Sequence, residues 1–174
     1  MKTVVRHNLF AWTVESDPTR TRELYRTVDR GAAARCGCVD CRNFSHARPA
    51  HFPVPFGALL ESLAVDPSKE ASVSLVAPLE GRRSLYSGAY LFCGSLLAGR
   101  PHRGFPFLRE RVDVFEQIDP EAHVALRPGA NSDHPWDGAD CVRLEFLLVL
   151  PWVLKGERQQ AIDLDRAGRD GSPS

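Results

Sequence analysis

Leu85 to Leu97 is apolar at odd and even positions alike, with Leu85, Ala89, Leu91 and Cys93 on one parity and Tyr86, Tyr90, Phe92 and Leu96 on the other. Strand side chains alternate between two faces, so a run apolar at both parities has to be covered on both. This stretch predicts a central strand, and the rest of the chain must supply its neighbours and its covers. Gly88 and Gly94 within it mark a bulge or a close backbone approach.

The neighbours are visible as period-two patterns. Val142, Leu144, Phe146, Leu148, Leu150 and Trp152 share one face of a second long strand, and Pro151 predicts that its end lies at a sheet edge. Ser72 to Ala77, Arg109 to Ile118 and His123 to Leu126 read as further strands, and Thr3 to Val14 as one more. The covers are helical. Phe56, Leu59, Leu60 and Leu63 recur at helical spacing, with Pro53 and Pro55 at the start of the helix and Asp66-Pro67 at its end. A second helix starts at Asp17-Pro18, carries Leu24, Tyr25 and Val28, and stops at Gly31.

The fold class predicted is α+β, a mainly antiparallel sheet of five or six strands with one or two helices packed on a face. The parallel β-α-β alternation of a nucleotide-binding doubly wound fold is absent. At 174 residues the chain has the length of one domain, set at residues 1–164, with 165–174 as a disordered polar tail.

Ahead of the helix at Phe56 lies Cys36-Gly37-Cys38-Val39-Asp40-Cys41-Arg42-Asn43-Phe44, which holds three of the five cysteines. Asp40 reads as an N-cap, with Val39 and Phe44 as a hydrophobic staple, so Cys41 falls in the first turn of a short helix. A thiolate there is stabilised by the helix dipole. Ser45 to His51 reads as a loop. The spacing of Cys38 and Cys41 lets one turn aim two sulfurs at an ion. Cys36 joins only if Gly37 bends an otherwise extended backbone. The candidate metal ligands are therefore Cys36, Cys38 and Cys41, with zinc as the candidate ion. A fourth ligand has to come through the fold, from residues such as His51, Cys93, His123, His134 or Cys141, because His46 points away along the helix.

Other chemistries find less support. Formal net charge is zero and the pI is near neutral, which argues against a dedicated nucleic-acid or membrane-surface binder. Arg20, Arg22, Arg26, Arg30, Arg35, Arg42 and Arg48 form only a scattered basic region. The apolar run from Phe146 to Leu154 is too short to span a bilayer, and no secretory signal precedes the first strand. The reading is a cytoplasmic chain that keeps thiols or binds metal. Asp133, His134, Asp137 and Asp140 in the 127–140 loop are explained by turn chemistry. The function expected is a non-catalytic binding or interaction module for a protein or small-molecule partner. The alternative is a metal- or thiol-dependent enzyme using Cys41 near the 127–140 loop; no catalytic residue is assigned.

One resemblance is carried by Cys38, Cys41, Arg42, Asn43 and Phe44, then Phe52-Pro53, Leu59-Leu60, Leu63, Val65-Asp66-Pro67, Lys69-Glu70 and Tyr90-Leu91-Phe92-Cys93-Gly94. Over roughly residues 36–97 this order resembles a family of uncharacterised bacterial proteins. The resemblance implies a compact bacterial domain and brings no activity with it.

Overall fold

The computed structural model of the chain describes residues 4–99, 115–129, 136 and 139–156. Among them the element order is β1 (Val5–Leu9), β2 (Trp12–Ser16), α1 (Pro18–Thr27), α2 (Ala32–Cys36), α3 (Val39–Ala47), α4 (Val54–Ser62), β3 (Ser72–Leu79), β4 (Arg83–Ala98), β5 (Glu116–Asp119), β6 (Ala122–Pro128) and β7 (Cys141–Pro151). The fold is α+β, with seven antiparallel strands in the order β1-β2-β4-β7-β6-β5 and β3 also paired to β4. The seven exceed the five or six expected because β1 and β2 divide the single strand predicted over Thr3 to Val14. Phe10 adopts φ 54°, in the left-handed region that reverses the chain, and Leu9 pairs with Trp12 across the turn.

The run that is apolar at both parities becomes β4, the spine of the sheet. One of its edges pairs with β7 from Arg83 to Cys93. The other pairs with β3 over 83–89 and with β2 over 94–98. Between β3 and β2 a short length of that edge has no strand partner among the described residues, and helix α1 takes it over. The Tyr25 hydroxyl donates to the Leu91 carbonyl at 2.8 Å. The Cys93 N–H donates to Thr21 Oγ1 at 3.0 Å, and the Asp17 N–H donates to the Cys93 carbonyl at 2.8 Å. Buried backbone groups must be paired, so α1 is fixed there by hydrogen bonds as well as by packing. Its start is as read from the sequence: Asp17 caps it by accepting from the Arg20 N–H at 3.0 Å, and Pro18 opens the first turn. Its end is not. The helix stops at Val28, and Gly31 is the N-cap of the next helix instead.

Helices α3 and α4 cover one face of the sheet through aromatic contacts. The Phe44 ring stacks on Phe146 with centroids 5.9 Å apart, and Phe56 meets Phe146 edge-on at 5.7 Å. Gly88 of β4 lies opposite Phe146, and a Cβ there would strike the Phe146 ring and the Ser72 carbonyl. The glycine is the close approach its position in the strand predicted. Helix α4 is shorter than expected, because the chain leaves it at Leu63 before Asp66-Pro67 is reached, with Ala64 at φ 59°. Its stripe is as expected, with Phe56, Leu59, Leu60 and Leu63 all buried. Leu63→Ala is therefore expected to cost ~2–5 kcal/mol in a denaturant melt. Glu61 on the exposed side of the same helix should tolerate alanine within about 0.5 kcal/mol. Equal, small losses at both positions would refute this packing.

Strand β7 corrects the reading of Pro151. The strand lies inside the sheet, between β4 and β6. Pro151 is its last residue, where the missing N–H breaks no further ladder bond. Its opposite face carries a buried carboxylate that the alternation hid: Glu145 forms an ion pair with Arg127 at 2.6 Å and accepts a hydrogen bond from Arg143 Nε at 3.3 Å. Of the strand predicted over Arg109 to Ile118, the part within the described residues is β5. The tail at 165–174 and most of the 127–140 loop lie outside them.

Candidate metal centre

Two short helices meet at the cysteines. Helix α2 is a single turn that ends at Gly37, whose φ of 71° is left-handed, and the Gly37 N–H donates to the Ala33 carbonyl at 3.4 Å. Glycine adopts that conformation without the penalty a side chain incurs, so Gly37 bends the backbone as the sequence required. Cys38 then returns to extended geometry, with φ −66° and ψ 162°, and α3 begins at Val39. The result is a corner in which Cys36 closes one helix and Cys41 lies in the first turn of the next.

The cap of α3 differs from the sequence reading. Cys38, not Asp40, is the N-cap, and its Sγ accepts from the Cys41 N–H at 3.5 Å. Asp40 sits in the first turn, and the staple drawn between Val39 and Phe44 falls out of register. A sulfur can cap here because the bend at Gly37 places it over the open end of the helix. Helix α3 also runs on to Ala47, through half of the loop predicted at 45–51.

The three sulfurs Cys36 Sγ, Cys38 Sγ and Cys41 Sγ all lie within 4.8 Å of one another, close enough to hold a metal ion. Zinc–sulfur bonds of about 2.3 Å in a tetrahedron set sulfur–sulfur edges of ~3.8 Å, so small rotamer changes would close the set on an ion. Cys36 and Cys38 are exposed and Cys41 is buried. Among the described residues no histidine, carboxylate or further cysteine joins them. His46, His51 and His123 are therefore not ligands in this arrangement, and His134 lies outside the described residues. Cys93 and Cys141 face each other across β4 and β7, and both are buried as thiols rather than joined in a disulfide.

The electrostatics of the turn reverse one expectation. Its position at a helix start predicts an acidic thiol for Cys41. Instead its thiol is pushed up to about 12, first by burial and then by its contacts with Cys38 and Cys36. Desolvation at this position outweighs the partial charge of a nine-residue helix. The lowered thiol is Cys36, held down by hydrogen bonds from the Cys38 backbone and then from the Cys38 and Cys41 side chains. Burial likewise pushes Cys93 up to about 11 and raises Cys141.

The corner is braced from both sides. Glu70, at the approach to β3, accepts from the Ala33 N–H at 2.6 Å through its carboxylate and from the Ala32 N–H at 2.9 Å through its carbonyl, which holds the start of α2. The same carboxylate pairs with Arg48, the C-cap of α3, and both side chains are buried. The Arg48 guanidinium also lies over the Phe44 ring at 5.7 Å. From the sheet, the Tyr86 hydroxyl donates to the Asp40 carbonyl at 3.1 Å. Asn43 is fully buried. Its Nδ2 donates to Tyr86 Oη at 3.0 Å and to the Pro151 carbonyl at 3.2 Å, while its Oδ1 accepts from the Val153 N–H at 2.7 Å. Lys69-Glu70 and Asn43 stood in the sequence as parts of a resemblance only. The signal for Asn43 was a polar residue set between Cys41 and Phe44, both buried.

The loop proposed as a partner for Cys41 does not reach it through Asp140. That carboxylate lines a cavity of about 290 Å³ together with Glu15, Asp17, Arg20, Cys93 and Gly94, and Cys41 is not among the lining residues. No helix among the described residues is long and apolar enough to cross a membrane. Comparison with protein-family models, with curated proteins and with solved structures finds no match.

Proposed function

We propose that this chain is a non-catalytic binding or interaction domain of the cytoplasm whose α2–α3 corner holds zinc through Cys36, Cys38 and Cys41. The observation that carries the reading is the convergence of three thiol sulfurs within 4.8 Å, supplied by six consecutive residues. Thiolates are ligands for zinc and for other soft ions. The braces from Glu70, Tyr86 and Asn43 hold the corner in place before any ion arrives, which lowers the ordering cost of binding. Against the enzyme alternative stands the state of Cys41: a buried thiol pushed up to about 12 is protonated at neutral pH and is a poor nucleophile. The likeness to uncharacterised bacterial proteins supports a bacterial source. The partner is a protein or a small molecule rather than a nucleic acid, in keeping with the neutral net charge.

Metal analysis of protein purified without added metal or chelator tests this reading. Zinc at near one equivalent is expected, and a chelator should lower the melting temperature because structural zinc contributes to folding. Cys38→Ser should abolish binding, while Cys93→Ser should keep it. Binding must displace the proton that Cys41 holds at neutral pH, so affinity should fall as pH falls. Metal-free protein whose melting is indifferent to chelator and to added zinc would overturn the proposal.

A further inference from the structure

The three sulfurs differ in their access to solvent. Cys41 is buried at the base of the corner, and Cys36 and Cys38 stand exposed on its rim. An ion bound to all three has Cys41 beneath it and turns its remaining side outward. Zinc in protein sites is almost always four-coordinate, and among the described residues no fourth ligand joins the set. Three thiolates around a dication leave one negative charge in excess, and their electron donation weakens the ion as a Lewis acid. Water at the fourth position is then held weakly and little acidified. The ligand sets that complete a three-thiolate zinc site are four cysteines or three cysteines and one histidine, so sulfur and imidazole nitrogen are the matching donors. Hard carboxylate oxygen suits magnesium, calcium or manganese better.

Resting on the zinc reading above, we propose that the fourth position is an exchangeable binding site for a small thiol from solution. The zinc–water bond breaks, a zinc–sulfur bond forms, and the proton of the thiol passes to solvent, with no change of oxidation state. The exposed rim of Cys36 and Cys38 gives such a molecule direct access. The single outward position limits the centre to one donor at a time.

Cobalt(II) in place of zinc makes this visible, because the sulfur-to-cobalt charge-transfer band reports how many thiolates are bound. The intact protein would be loaded with cobalt without oxygen and titrated with 2-mercaptoethanol, with imidazole and acetate titrated in parallel and metal retention followed by dialysis. The expected result is a rise of the charge-transfer band with thiol while cobalt stays on the protein, and no response to acetate. A three-thiolate band that thiol leaves unchanged would mean that the chain holds the fourth position itself, which overturns this proposal and leaves the metal reading intact. Imidazole saturating at lower concentration than thiol would overturn the assignment of the ligand. Absence of any charge-transfer band would overturn the metal reading, and this proposal with it.

Discussion

Asn43→Ala is expected to destabilise the protein by about 3 kcal/mol or more, since each buried group left without a partner costs ~1–3 kcal/mol. The side chain serves the Tyr86 hydroxyl, the Pro151 carbonyl and the Val153 N–H at once. Asn43→Asp should be worse at neutral pH. It replaces the amide that donates to Pro151 with an oxygen that faces the carbonyl, and it places a charge in a dry site. Burial would raise the folded pKa of that aspartate above its unfolded value, so the charged form is the destabilised one. Stability is then lost as pH rises through the folded pKa and recovered below it. Chemical denaturation of the two variants at neutral and mildly acidic pH checks this, with the deficit of Asn43→Asp shrinking on acidification. A deficit independent of pH would show that the site is wetter than the hydrogen bonds imply.

The second large effect is expected at Arg48 and Glu70. Removing one partner of a buried ion pair strands the other, at about 3–5 kcal/mol. Arg48→Met leaves the Glu70 carboxylate uncompensated, and Glu70→Gln leaves the guanidinium uncompensated against the Phe44 ring. The double variant should be less destabilised than the sum of the two, because no charge is then stranded. Strict additivity in a double-mutant cycle would contradict the pairing. Glu70→Gln should also weaken metal binding. The carboxylate that pairs with Arg48 also accepts from the Ala33 N–H at the start of α2, and α2 carries Cys36.

The sheet was legible because its signals are local. The run at Leu85 to Leu97 and the alternation through β7 depend only on neighbouring residues, and both became strands of the expected extent. The stripe on α4 was legible for the same reason. What was misread depended on partners distant in sequence. Pro151 looks like an edge residue until β6 is known to lie beyond β7. Gly31 looks like a helix stop until Glu70 is known to sit over the start of α2. Thr3 to Val14 reads as one strand because nothing in the residue type announces a left-handed phenylalanine.

The candidate site divides in the same way. The convergence of Cys36, Cys38 and Cys41 could be read from spacing and from Gly37, since all three lie within one tight turn. The chemical state of Cys41 could not, because burial under the rest of the domain sets it and outweighs the helix start. The roles of Asn43, Arg48 and Glu70 could not be read either. Asn43 is defined by Tyr86, Pro151 and Val153, and Arg48 and Glu70 are defined by each other, distant in sequence, and by the start of α2.

The place of β7 has a consequence for how the chain comes off the ribosome. Strand β4 is complete long before β7 is made, yet β7 is its partner along one edge from Arg83 to Cys93 and separates it from β6. Until β7 arrives, the nascent domain holds a long apolar strand with an unpaired side, the kind of surface that recruits other chains. Its closure is a late, sequence-distant event, and such contacts form slowly. Destabilising changes in β7 should therefore reduce the yield of folded protein more than equal changes in α1, even where the finished molecules melt alike.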